Sequence, residues 1–325
     1  MDKWAAVDIG SNTVQLLVAE SDDIHFRPNF QLPKDTRQTI KQAENGRLPN
    51  YFFALHTTRL GASPNPGLLD EARIKDTLSV LQEYRAELLR RGVAAVRVVA
   101  TSAVRDAANK DALLRAVHEL CGWQVEVLCG QEEARLSFWG AAAPALAMGA
   151  RHILMLDIGG SSSELIRWRG GHMYSASADV GAVRAQVAGW RADKIESLLA
   201  AMIKAEDDDK AALAIGAGGT ITTAAALMQG CREYSRQAVE GYELKAEAVE
   251  VLLATLSPLS IAERCAFSPL LARRGELILE GLLILRAFLR LLSLPGITVS
   301  AGGLPEGCLL DLKQRGLSPL NKMML

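Results

Sequence analysis

The sequence predicts an α/β protein of two similar domains, each with a mixed sheet flanked by helices, and three observations point there. A strand-and-turn motif occurs twice, as VDIGSNT from Val7 and as LDIGGSSS from Leu156, so that Asp8 and Asp157 stand 149 positions apart. β-rich runs that end in glycine, serine or threonine repeatedly lead into helical patterns, the order of an α/β fold. The composition is that of a well-buried chain, 49% hydrophobic, 22% charged and only 5% aromatic. At 325 residues the chain exceeds what one core usually fills, so the repeat reads as two related domains facing one cleft.

Each copy of the motif reads as a buried strand (5–9 and 153–158), a small-residue turn and a second apolar strand (14–19 and 164–168). The stretch 28–56 is polar, holds Pro33, Pro49 and Asn45-Gly46, and reads as a long loop or a short inserted helix. A helical pattern follows over 68–91, with Leu69, Ala72, Leu78, Leu81 and Leu88 on its apolar face and Gly92 closing it. Strands are expected at 93–100 and 125–128, with a helix running through Leu113 and Val117 to Leu120 between them. Gln131 opens the next helix. The second half repeats this grammar: hairpins over 153–177, a helix near 194–204, an acidic solvated run 206–209 and a strand at 212–215. Gly216 to Thr220 then enters a helix at 222–228, and a helix-rich tail ends in a strand at 297–300 and a helix from about 306 to 314. The domain boundary is expected near Gly130, giving domains 1–130 and 131–303, with 304–325 returning to the first.

A formal net charge of -1 argues against a general nucleic-acid binder, since any polyanion must then be held by a local cluster. The five cysteines are scattered and lack Cys-x-x-Cys spacing, which fits buried thiols in a reducing compartment. The chain opens MDKW and enters a strand at once, without the regions of a signal peptide, so a cytoplasmic protein is expected. The most apolar stretch, 277–294, is interrupted by Glu280, Arg286 and Arg290 and reads as a core helix, with no membrane partner. The five histidines form no ligand-like spacing, which argues against zinc, and no Gly-x-Ser-x-Gly motif supports a serine hydrolase.

The turn chemistry suits phosphate. Gly10, Gly159 and Gly160 let backbone amides approach an anion, and Ser11, Asn12, Thr13, Ser161, Ser162 and Ser163 add short donors. Asp8 and Asp157 end their strands beside these turns, where a carboxylate next to phosphate is best explained by a divalent cation such as Mg²⁺. Glu164 lies across the second hairpin from Asp157, so both can face one cation; a structural hydrogen bond is the plain alternative. Gly218, Gly219 and Thr220 sit between strand and helix, where a helix N-terminus favours an anion, although a close helix–sheet contact explains them equally well. Arg105, at another strand-to-helix junction, offers a bidentate guanidinium or is an ordinary surface residue. Glu132 and Glu133 fall in the first turn of a helix, which the helix dipole alone explains. The sharper reading makes one of them a general base, and their 100° separation lets only one serve.

At these residues the chain resembles the exopolyphosphatase and guanosine pentaphosphate phosphohydrolase family, Ppx/GppA, within the sugar-kinase, heat-shock ATPase and actin superfamily. The likeness runs through AAVDIGSNTVQLLVA at 5–19, TRLG at 58–61, VVATSAVRDAAN at 98–109, VEVLCGQEEARLSFWG at 125–140 and LDIGGSSSEL at 156–165. It continues through DVGAVR at 179–184, IGAGGTITTAAAL at 215–227 and GGLPEGCLLDL at 302–312, so it covers most of the chain. The resemblance implies two ribonuclease-H-like (actin-like) domains with the active-site cleft between them, and hydrolysis of a terminal phosphoanhydride with Mg²⁺. It implies Glu133 as the catalytic glutamate, Asp157 and Glu164 as metal-associated acids, and Asn12, Arg105, Gly159, Gly160 and Ser162 as phosphate-binding groups. Asp8 joins the metal set, and Ser11, Ser161, Gly218, Gly219 and Thr220 the phosphate set, from the turn chemistry above.

The chain looks like the short form of the family, which lacks an additional helical domain. It departs from the usual pattern where Ser161 replaces a glycine, Ser163 a threonine and Pro305 an arginine, and where the 28–56 connection is long enough to act as a lid. A side chain at 161 is expected to crowd the phosphate or to need a different backbone conformation. The expected substrate is inorganic polyphosphate or guanosine pentaphosphate, and the expected assembly a homodimer. The competing readings are a non-catalytic guanosine tetra- or pentaphosphate sensor, and a superfamily kinase that would need an adenosine pocket.

Overall fold

The computed structural model describes residues 2–22, 24, 51–63, 65, 67–203, 212–315 and 321–322. Most of the long connection over 28–50 and the acidic run 206–209 lie outside them. The described residues fall into two units, one taking those of 1–31, 43–148 and 302–325 and the other those of 149–301.

In the first unit β1 (Lys3–Ile9), β2 (Thr13–Glu20) and β3 (Phe52–Thr57) form an antiparallel meander. Helix α1 (Glu71–Arg90) leads to β4 (Val93–Ala100), which pairs parallel with β1. After α2 (Ser102–Arg105) and α3 (Lys110–Cys121), β5 (Val125–Val127) joins β4 in parallel. Helix α4 (Gly130–Ala147) closes this part of the chain. β3 stands inside the stretch read from sequence as loop or helix: its run of Phe52, Phe53, Ala54 and Leu55 pairs with β2 from Leu16 to Val18 and with Gln15.

The second unit repeats that topology. β6 (His152–Ile158), β7 (Ser163–Arg169) and β8 (His172–Ala178) form the meander. Helices α5 (Ala182–Val187) and α6 (Ala192–Ala200) precede β9 (Leu213–Ala217), which runs parallel to β6. Then come α7 (Gly219–Met228), α8 (Arg236–Val239), β10 (Glu243–Lys245), α9 (Ala246–Leu256) and α10 (Ile261–Phe267). Helix α11 (Ile278–Leu291) leads to β11 (Gly296–Val299), parallel to β9, with β10 antiparallel on its far edge. Helix α12 (Leu304–Arg315) and a short β12 (Asn321–Lys322), antiparallel to β4, belong to the first unit.

Strand alternation explains why the first sheet is covered on both faces. Ala5, Val7 and Ile9 of β1 join one apolar cluster with Leu81 and Leu88 of α1 and Leu113 and Val117 of α3. Ala6, Leu17, Val99 and Leu136 join another with Cys308, Leu309 and Leu312 of α12. The sequence reading places the boundary after Gly130, whereas α4 groups with the first unit. The physical reason is its close packing on α12: a Cβ on Gly307 would lie 1.8 Å from the Leu136 carbonyl oxygen, and one on Gly140 1.9 Å from that of Gly303. In the second unit the core helix expected at 277–294 is α11, with Leu282, Ile284, Leu285 and Phe288 in the main cluster. No helix among the described residues is long and apolar enough to cross a membrane.

Candidate functional site

The repeated hairpins are alike in atomic detail. The Gly10 amide donates to the Thr13 carbonyl at 3.0 Å, and the Gly159 amide to that of Ser162 at 3.0 Å. A Cβ at either glycine would lie 3.0 Å from that same oxygen, so both turns need a residue without a side chain to close comfortably. Each aspartate faces the residue opposite it on the return strand, and here the copies differ. Asp8 opposes Gln15, whose amide donates to its Oδ2 at 3.3 Å. Asp157 opposes Glu164, and Ser177 donates to Glu164 Oε1 at 3.0 Å.

Two carboxylates directly opposite one another repel unless a cation or proton lies with them. An all-oxygen pair of this kind suits a hard cation such as Mg²⁺, which keeps several of its waters and needs few protein ligands. Asp157 and Glu164 are therefore the residues able to hold one, whereas Asp8 has an amide in the corresponding place. No cluster of three or more His, Cys, Asp or Glu side chains suited to a metal occurs among the described residues.

In the first unit the turn is clasped from outside. Gly61 donates to the Ser11 carbonyl at 2.7 Å, and Thr58 and Arg59 donate to that of Asn12 at 3.1 and 3.0 Å, which gives the TRLG segment its structural role. Ser11 Oγ lies 3.3 Å from Ser102 Oγ, at the start of α2. From the other end of α2, Arg105 Nη1 donates to the Leu128 carbonyl at 3.0 Å and to Glu133 Oε2 at 2.7 Å. Arg105 and Glu133, 28 residues apart in sequence, are thus brought into direct contact at the first turn of α4.

Glu132 has a different partner. Arg135 grips it through Nε and Nη2, both at 2.8 Å, and also donates to Asp311 at 2.6 Å. Asp311 takes a further bond from Arg97 at 2.9 Å, and Arg97 holds Glu126 at 3.1 and 2.9 Å. The hydrogen bond to Glu132 is the main reason the Arg135 guanidinium is held above its ordinary pKa. Burial alone would raise Asp311; the hydrogen bond and charge of Arg135, joined by Arg97, instead keep it below the usual carboxylate range.

In the second unit the carbonyls of the turn are engaged from behind by the DVGAVR segment. Ala182 donates to the Gly159 carbonyl at 3.0 Å, Val183 and Arg184 to that of Gly160 at 2.8 and 3.0 Å, and Arg184 Nε to that of Ser161 at 2.9 Å. Gly181 permits this approach, because a Cβ there would lie 2.4 Å from the Gly160 carbonyl. Ser161, Ser162 and Ser163 are all buried, and Ser163 donates to the Val180 carbonyl. At Ser161 φ lies outside the left-handed region, so the serine is seated without backbone strain. Pro305, the other departure, is buried in the first turn of α12, where a fixed φ suits a helix start.

The glycine-rich turn before α7 reaches the same aspartate. Gly218 has φ +97° and ψ 161°, a conformation that essentially only glycine adopts. A Cβ on it would lie 2.5 Å from the Ile158 carbonyl oxygen and 3.2 Å from Asp157 Oδ1. Thr220, by contrast, packs its hydroxyl against α11, since a Cβ on Gly281 would lie 2.1 Å from it. Sequence reasoning missed Arg274, whose Nη1 would lie 2.1 Å from a Cβ on Gly219. A guanidinium at the positive end of a helix dipole is unfavourable unless an anion joins it. Burial also lowers the pKa of Arg274, with Tyr234 acting in the opposite direction. The available signal was a pair of arginines, Arg273 and Arg274, before Gly275 in a largely apolar tail.

Nearby, Glu280 in the first turn of α11 has a buried Oε2 with no hydrogen-bond partner. Burial raises its pKa, Arg264 lowers it and Glu276 raises it again. A raised carboxyl pKa adds stability only while the group is protonated, so that stability is present below about pH 4.3 and is lost as pH rises through the folded-state value. Glu280→Gln is therefore expected to stabilise the protein at pH 7 by about 1–2 kcal/mol. Urea melts at pH 7 and pH 4 check this, since the difference between variant and parent should vanish at the lower pH.

Known proteins resemble this chain over most of its length. Residues 39–315 match the model of the Ppx/GppA phosphatase family. The chain is 26% identical over 334 aligned positions to exopolyphosphatase 2 of Mycobacterium tuberculosis, covering 96% of this chain and 99% of that protein. It is 26% identical to the guanosine-5'-triphosphate,3'-diphosphate pyrophosphatase of Aliivibrio fischeri, covering 94% of this chain and 58% of that protein. Among solved structures, the Ppx/GppA family member of Aquifex aeolicus superposes with a TM-score of 0.73 at 26% identity, covering 97% of this chain and 98% of that one. Two mixed-sheet units flanked by helices, a like glycine turn in each and a family match over most of the length lead to one conclusion: the chain belongs to the Ppx/GppA phosphatase family.

Proposed function

We propose that the protein is a Mg²⁺-dependent phosphoanhydride hydrolase that removes the terminal phosphate of inorganic polyphosphate or of guanosine pentaphosphate. The observation that carries this reading is the 2.7 Å contact between Arg105 and Glu133, which joins a phosphate-seeking guanidinium to a carboxylate suited to take a proton. Glu133 accepts the proton of the attacking water. Arg105 orients that carboxylate and binds phosphate oxygens. The turn amides of Ser11, and of Gly160 to Ser162, meet further phosphate oxygens, while Gly218, Gly219 and Arg274 supply another anion-binding group. When bound at Asp157 and Glu164, Mg²⁺ neutralises charge on the phosphate chain.

The sensor alternative is motivated by Ser161 and Pro305, which stand where the family usually has a glycine and an arginine; Ser161 itself is seated without a left-handed φ. Purified protein incubated with Mg²⁺ is expected to release orthophosphate from polyphosphate or guanosine pentaphosphate much faster than from ATP, and to stop when EDTA is added. Calorimetric binding of guanosine pentaphosphate with no phosphate release from either substrate would favour the sensor instead.

A further inference from the structure

Two adjacent acids open α4, and the fold treats them unequally. Glu133 accepts from Arg105 at 2.7 Å. Glu132 is gripped by the Arg135 fork at 2.8 and 2.8 Å, and Arg135 is itself anchored on Asp311 at 2.6 Å. Asp311 is only 4% exposed and is held in turn by Arg97 of β4 at 2.9 Å. An i,i+3 pair needs no such backing to cap a helix start. What the backing adds is direction: the guanidinium bonded to Asp311 of α12 cannot follow Glu132 if that side chain swings. An unanchored Glu132 would compete with Glu133 for Arg105, since the two carboxylates are neighbours of like charge.

We propose that Arg135, anchored by Asp311, is a positioning residue that holds Glu132 away from Arg105, so that Glu133 alone receives the proton of the attacking water. This rests on the role given to Glu133 above. The test compares phosphate release from polyphosphate by the parent, Arg135→Met, Glu133→Gln and the double variant, with melting curves for each. Arg135→Met is expected to lower kcat about tenfold with KM within about twofold, since displacement of reacting groups acts on turnover. The double variant is expected to be about tenfold faster than Glu133→Gln alone, because the released Glu132 partly replaces the missing base. A merely structural role for Arg135 predicts no such gain.

If Arg135→Met does not fold, Arg135→Lys takes its place in both variants, as lysine keeps the charge but not the fork. A double variant no faster than an inactive Glu133→Gln overturns the inference and leaves the functional reading intact. Full turnover by Glu133→Gln alone would overturn both.

Discussion

Glu133→Gln is expected to lower the rate of phosphate release by about 10²–10⁴, the usual contribution of a general base, while leaving substrate affinity nearly unchanged. Glutamine keeps the shape of the side chain, and its amide oxygen can still accept from Arg105 Nη1, which now bonds Glu133 Oε2 at 2.7 Å. The substitution removes the ability to take a proton and the charge of the ion pair with Arg105, while keeping the hydrogen bond. Arg105 also keeps its bond to the Leu128 carbonyl at 3.0 Å, so its guanidinium remains placed. Initial rates with polyphosphate, paired with calorimetric binding of the same substrate, separate loss of chemistry from loss of affinity. Wild-type turnover in a folded Glu133→Gln protein would refute the assignment. Glu132→Gln is the natural control, because its carboxylate is engaged by Arg135 rather than by Arg105.

The repeat at Asp8 and Asp157 was legible because buried strands, glycine turns and short polar residues are local features that a linear pattern records. Its extension to a common five-strand topology was not, since pairing of β4 with β1 and of β9 with β6 depends on contacts between distant segments. β3 was missed because Phe52 to Thr57 is short, follows a long polar connection and takes its identity as a strand from β2. The choice between Glu132 and Glu133 was open to helix geometry alone. In the structure their partners, Arg135 with Asp311 and Arg105, lie on α4, α12 and α2 and differ for reasons of tertiary packing. Arg274 was hidden for the same reason: nothing in its neighbours announces that its guanidinium rests on Gly219.

The second large effect concerns stability, and it falls where α4 meets α12. Gly307→Ala adds a methyl group whose carbon would lie 1.8 Å from the Leu136 carbonyl oxygen and 2.5 Å from its carbonyl carbon. Both are backbone atoms of a helix, so no side-chain rotation relieves the clash, and one helix must move by more than about 1 Å against the close packing of a protein core. Leu136, Cys308, Leu309 and Leu312 pack around this crossing, so a shift opens gaps among buried apolar side chains as well. The expected cost is about 3 kcal/mol or more, the upper range for overpacking. Gly303→Ala provides the control, because a Cβ there meets nothing within 4 Å. Its expected change is within about 0.5 kcal/mol, the range of an uncrowded substitution. Urea melts of the two variants decide the matter. A Gly307→Ala protein as stable as Gly303→Ala would mean that the helices separate freely, and a first turn of α4 held only loosely could not keep Glu133 in register with Arg105.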